Sequence, residues 1–184
     1  MQGAPASHAG AAAQVAGAPI AAAGYRHWVA VERALGAGGS PDHQALGFLI
    51  TSEWIVHEAA ARHITVSDAE VRRRFEELVH RSFPKPGELQ KYLARAHETE
   101  ADLLVRIRIE LLTQRILAQV AAGKSGSERA AALRRFQAAF KQRWKQLTSC
   151  SPGYVMEDCR EYKGGPEKLA ARPHAPAASA ASSP

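Results

Sequence analysis

Three helix-opening signals punctuate the middle of the chain and confine what it can fold into. Ser40-Pro41 offers a hydroxyl cap followed by proline at the first helical position, where the missing N–H costs nothing. Ser67-Asp68-Ala69-Glu70 has the spacing of a capping box, in which hydroxyl and carboxylate satisfy each other's orphan amides, and Thr99-Glu100-Ala101-Asp102 caps the next helix. Behind the second signal, Val71, Phe75 and Leu78 recur at helical spacing; behind the third, Leu103, Leu104, Ile107, Leu111, Leu112, Ile116 and Val120 do so. The apolar positions after Pro41 (Leu46, Phe48, Leu49, Ile50, Trp54, Ile55, Val56, Ala59, Ala60) cover more than one stripe. That predicts a central helix over 42–63, packed on most sides.

Three further segments complete the pattern. A helix is predicted over 21–35, with Tyr25, Trp28, Val29 and Leu35 apolar, stopped by the glycine-rich stretch 36–40. A short one over 87–96, carrying Leu89, Tyr92 and Leu93, follows Phe83-Pro84-Lys85-Pro86. The last, over 127–147, places Leu133, Phe136, Phe140 and Leu147 on one seam with Trp144 beside it. Residues 14–20 alternate, with Gly17 at a turn position, and suffice for one edge strand or extended piece. Six helical segments and no strand pair predict an all-α protein.

Large apolar residues thin out at both ends. Residues 1–13 are small and almost uncharged, and 164–184 are rich in Ala, Pro and Ser with Leu169 as the single large aliphatic. Ordering such stretches costs about 1–2 kcal/mol per residue, which they lack the apolar area to offset, so both are predicted to be disordered tails. The foldable domain is 14–163, divided into an N-terminal part, 14–123, and a C-terminal helix with a cysteine-bearing tail, 124–163. No apolar run reaches the roughly 18 residues a membrane-spanning helix needs. No intact signal peptide is visible, and the start reads as a mature or trimmed form, or as a mis-called one.

The net charge of +6 sits in one place. Lys124, Arg129, Arg134, Arg135, Lys141, Arg143 and Lys145 face only Glu128 over 124–148, whereas the helical body before them is nearly neutral. Interleaved Phe and Trp would suit phosphate contacts, but those rings follow a packing seam, so a solvated basic face is expected. An anionic membrane surface or an acidic client is the next reading, and nucleic acid comes last. Cys150 and Cys159, with eight residues between them, flank the turn Ser151-Pro152-Gly153. A disulfide is the simplest reading, and two reduced cytosolic thiols are the alternative. Zinc would lack the four ligands of a structural site.

Catalytic motifs fail inspection. His57-Glu58 begins like a zinc-protease helix, but Ala61 stands where the second histidine belongs, and His63 faces elsewhere. Nucleophile-elbow, phosphate-loop and dinucleotide motifs are missing, and the stretch 37–40 reads as a plain linker. Glu53 with Glu58, and Glu76 with Glu77, read as solvated faces beside arginines. No metal site, catalytic residue or cofactor is expected.

The order of parts is more telling. VAGAPI leading to YRHW, then FLITSEWIVHEAAARHITVSDAEVRRRFEEL, then SFPKPGELQKYLARAHETEADLLVRIRIELLTQRIL resembles the N-terminal chaperone region of SurA/PrsA-type foldases. FQAAFKQRWKQLTSCSPGYVMEDCREYKG resembles the terminal helix and cysteine-bearing tail of an extracytoplasmic subgroup, and the likeness covers about residues 14–163. The resemblance implies one helical lobe built from N-terminal helices and a returning C-terminal helix. It also implies ATP-independent binding of unfolded or exported polypeptides outside the cytoplasm. A disulfide fits that compartment. PrsA-type members carry a parvulin isomerase domain between the two helical parts. Here Val120 passes through AAGKSGSE into the last helix, so the isomerase activity is not carried over.

The expected function is therefore an extracytoplasmic holdase or foldase. A peptidyl-prolyl isomerase with little or no activity is the second reading, and a basic helical adaptor for anionic membrane or nucleic acid is the third. Phe48, Trp54, Phe83, Tyr92 and Trp144 are the residues large enough to contact a client, each weighed first as core. Phe83, in a proline-rich connector, is the best candidate for exposure.

Overall fold

The computed structural model describes residues 10–36, 38–165 and 168–169. Six helices dominate them: α1 (Ala22–Leu35), α2 (Pro41–Ala61), α3 (Asp68–Ser82), α4 (Glu88–Ala96), α5 (Glu100–Ala121) and α6 (Gly126–Gln146). The fold is mostly α, and the three opening signals act as their chemistry requires. The Ser40 hydroxyl accepts from the His43 amide, with Pro41 in the first turn. At Ser67 and Thr99 both halves of a capping box are formed, with Glu70 and Asp102 returning to the cap amides.

The expectation of no strand pair is overturned. β1 (Ala11–Val15) and β2 (Ala18–Ala21) form a hairpin, and β3 (Thr148–Cys150) pairs with the other edge of β1, giving the order β2-β1-β3. β1 begins inside the stretch 1–13 that was expected to lie outside the fold, and Ala12 and Ala13 are completely buried. Alanines suit this strand because it is paired on both edges while α1 and α2 pack against it, where larger side chains would hold the layers apart. At the other end, β4 (Tyr154–Val155) pairs with β5 (Lys168–Leu169), and Leu169 packs on the core from within the stretch read as a tail. The expectation of disorder for 1–9 and 170–184 lies outside the described residues.

The hairpin turn holds Ala16 and Gly17 at φ 48° and 90°. Two positive φ values suit the twist of a tight hairpin, but only glycine adopts them freely. Ala16 is exposed, and its amide donates to the Leu147 carbonyl at 2.9 Å, a bond that does not depend on the side chain. Ala16→Asn is therefore expected to raise stability by about 1 kcal/mol, since asparagine tolerates the left-handed region better. An unchanged or lower denaturation midpoint would count against this strain.

Two apolar clusters share α2. One gathers β1, β2, α1, the first half of α2 and the chain after α6, with Leu46, Ile50, Met156 and Cys159 fully buried. The other joins the end of α2 to α3 and α5 through Ala59, Val71, Phe75, Ile107 and Ile116. α2 touches α1, α5, β1 and β2, as its broad apolar surface predicts, although Val56 stays 40% exposed. On α6 the predicted seam is shifted: Trp144 is 3% exposed, whereas Leu147 caps the helix at 44%. The chain turns away at Leu147, so Trp144, in register with Phe136 and Phe140, takes the inward position.

Cys150 and Cys159 form a disulfide. It closes a loop with a sequence separation of 9 and holds the exit of α6 against β1 through β3. Reduction is expected to lower the unfolding free energy by about 2–3 kcal/mol through the released chain entropy. Equal urea midpoints with and without reductant would contradict that expectation.

Candidate functional site

The connector between α3 and α4 cannot remain helical, because Pro84 and Pro86 remove two amide donors. α3 closes with the Phe83 amide donating to the Val79 carbonyl at 2.8 Å. Gly87, at φ 79°, redirects the chain into α4, and the Glu88 carboxylate accepts the Lys85 amide at 3.0 Å. This fold-back leaves a cleft of about 890 Å³ beside α4, lined by Phe83, Pro84, Lys85, Lys91, Ala94 and Arg95 among others. A smaller cavity of about 250 Å³ is lined by Leu35, Tyr92 and Arg95 among others, so Arg95 borders both. Leu35 is 39% exposed, an uncommon state for a large aliphatic in this chain.

The five residues proposed for client contact separate into two groups. Phe83 lines the cleft and Tyr92 the smaller cavity; both are half-buried, with ring centroids 5.3 Å apart. The Tyr92 hydroxyl donates to Glu98 at 3.0 Å. Burial, the bond to Glu98 and its negative charge all raise the Tyr92 pKa above the ordinary tyrosine value. Trp54 and Trp144, each 3% exposed, are core residues and take no part in a surface. The Trp54 indole donates to the Thr148 hydroxyl at 2.7 Å, and the Trp144 indole donates to Glu58 at 2.9 Å. Phe48 packs on Trp28 at 4.4 Å between ring centroids and is covered by the Arg106 guanidinium at 4.8 Å.

Two ionic knots hold buried carboxylates elsewhere in the fold. Arg106 donates to Glu98 at 2.9 Å and to Glu32 at 3.1 Å while its guanidinium lies 4.6 Å from the Trp28 ring centre. Glu58 corrects the expectation of a solvated face: it is 3% exposed and accepts from Arg62 at 2.6 Å, Trp144 at 2.9 Å and Arg143 at 3.4 Å. Arg143 is thus engaged by α2, and Lys141 pairs with Glu157 at 3.5 Å and Asp158 at 3.6 Å. The basic face of α6 therefore keeps only part of its charge for solvent: Arg129, Arg134 and Arg135 are exposed, with no ion pair among the described residues.

His27 Nε2 and Asp102 Oδ2, 3.0 Å apart, tie α1 to the start of α5. Burial pushes the Asp102 pKa up, but hydrogen bonds from the Thr99 hydroxyl and amide and from His27 outweigh it and hold it below the ordinary carboxylate range. A depressed folded pKa contributes stability above the unfolded value, lost as pH falls through the folded one. Asp102→Asn is thus expected to be less stable than the parent at neutral pH, with the gap narrowing on acidification. Denaturant melts at neutral and acid pH would show it, and a gap independent of pH would refute it.

Among the described residues, no three His, Cys, Asp or Glu side chains come together as metal ligands, and no helix is long and apolar enough to cross a membrane. Sequence reasoning missed Lys91 and Arg95 in the cleft and Leu35 in the smaller cavity. The spacing of Lys91 and Arg95, four apart on one helix, already placed two cations on a common face. No family model matches the chain, and neither a curated protein nor a solved structure matches it.

Proposed function

We propose that the chain is an ATP-independent chaperone of the SurA/PrsA foldase type, acting outside the cytoplasm on unfolded or extended polypeptides and lacking the isomerase domain. The observation that carries this reading is the surface beside α4, where Phe83 in the cleft and Leu35 in the smaller cavity present apolar area outside the two core clusters. An extended client gains about 25 cal/mol for each Å² of apolar area it buries there, with little demand on its sequence.

Three further features support it. α6 returns to pack on α5, and β3 adds to β1, so the two ends of the chain close one lobe, as the resemblance implies. Only residues 122–125 separate α5 from α6, which leaves no space for an inserted enzyme domain. The Cys150–Cys159 disulfide suits an oxidising compartment.

The purified chain is expected to suppress aggregation of a chemically denatured client without ATP, and to leave prolyl isomerisation in a protease-coupled assay at background. Leu35→Ser with Phe83→Ser should weaken suppression while the melting curve stays cooperative. Failure of the parent chain to bind any unfolded polypeptide at micromolar concentration would sink the proposal.

A further inference from the structure

We infer that the α4 cleft is selective: it takes extended polypeptide segments in which apolar side chains bracket a carboxylate. This rests on the chaperone reading and names the class of client.

Several arginines of α3 and α5 are paired: Arg72 with Glu100, Arg74 with Glu77 and Glu110, Arg108 with Asp68, and Arg115 with Glu70. Lys85, Lys91 and Arg95 on the cleft rim are exposed and have no ion pair among the described residues. The one acid in the lining, Glu88, is held by the Lys85 amide. Three cations against one carboxylate leave the lining net positive, beside the apolar Phe83, Pro84 and Ala94. Rim charges of one sign favour partners of the other and oppose like-charged ones.

Arg95 adds the spacing. It borders both the larger cleft and the smaller cavity, so one arginine stands next to Phe83 and Ala94 in the first and Leu35 in the second. Arg is well suited to a carboxylate, which it can hold through two parallel hydrogen bonds. A segment with an apolar residue, then Asp or Glu, then a second apolar residue satisfies all three features at once. Single-stranded nucleic acid fits less well, because Phe83 and Tyr92 are turned to one another rather than offered as stacking platforms.

The test uses dye-labelled peptides that differ only in the central residue between two leucines: Glu, Gln or Lys. Anisotropy titrations of the full chain are expected to rank them Glu, then Gln, then Lys, with about tenfold between the ends and a smaller spread in high salt. Lys91→Glu with Arg95→Glu, both exposed positions, should invert the ranking while the thermal melt is unchanged. Equal affinity for the three peptides would overturn the inference, as would a ranking that survives the charge reversal or an oligonucleotide that outcompetes the Glu peptide. Aggregation assays on the same samples separate the two proposals. If the parent chain protects a denatured client but the peptide ranking is flat, only the selectivity fails. If it neither protects a client nor binds any of the three peptides, the chaperone reading fails with it.

Discussion

Arg106→Ala is expected to lower the unfolding free energy by about 3–5 kcal/mol, a large part of the roughly 5–15 kcal/mol that holds a domain of this size. The reason lies in what the guanidinium leaves behind. The Glu98 side chain is 1% exposed and that of Glu32 is 11%, and both direct a carboxylate oxygen at Arg106. Without it, Glu98 keeps only the Tyr92 hydroxyl, too little to offset a desolvated charge. The same substitution uncovers Trp28 and Phe48, which the guanidinium faces at 4.6 and 4.8 Å. Arg106→Lys should fall between, since an ammonium can meet one carboxylate but cannot span two or lie flat on the rings. The decisive measurement is a double-mutant cycle by urea denaturation. Replacing Glu98 with leucine in the Arg106→Ala background should recover much of the loss, because it removes the stranded charge. Were the double variant as unstable as the sum of the two singles, the knot would be no more than packing.

Glu58→Ala is the second large effect, at about 2–4 kcal/mol. Here the stranded groups differ. The side chains of Arg62 and Arg143 are 28% and 54% exposed and can turn to water, so their loss of a partner costs little. The Trp144 indole N–H, buried in the core, cannot, and it loses its acceptor while a cavity opens between α2 and α6. Glu58→Gln keeps an acceptor for that N–H and should lose clearly less than the alanine variant. If Gln and Ala were equally damaging, the charge rather than the indole bond would be what matters.

What could be read from residues alone was whatever depends on near neighbours in the chain. The capping boxes at Ser67 and Thr99 join positions three apart, and the disulfide joins cysteines separated by 9. The helices follow from apolar spacing. The α4 cleft was legible in part: Phe83 stood out beside its prolines, and Lys91 and Arg95 shared a face, but their convergence with Leu35 required α4 to fold back beside the end of α1. Glu58 carried no local sign of burial. Its spacing and neighbours match those of an exposed helical face, and the indole that demands it lies 86 positions away.

The amino-acid sequence by itself determined that this is a mostly helical chain with six helices, where each begins, and that its two cysteines stand within reach of one another. Those are outcomes of backbone hydrogen bonding and local spacing, which need no distant partner. Tertiary structure alone decided that Ala11–Val15 is the central strand of a small sheet, that Trp144 rather than Leu147 faces inward, and that an open cleft lies at α4 while Trp54 and Trp144 are buried in the core. The physical reason is common to all three. Burial belongs to the assembled layers: alanine is buried where two strands and two helices close on it, and Trp54 and Trp144 are buried where their N–H groups find partners across the fold.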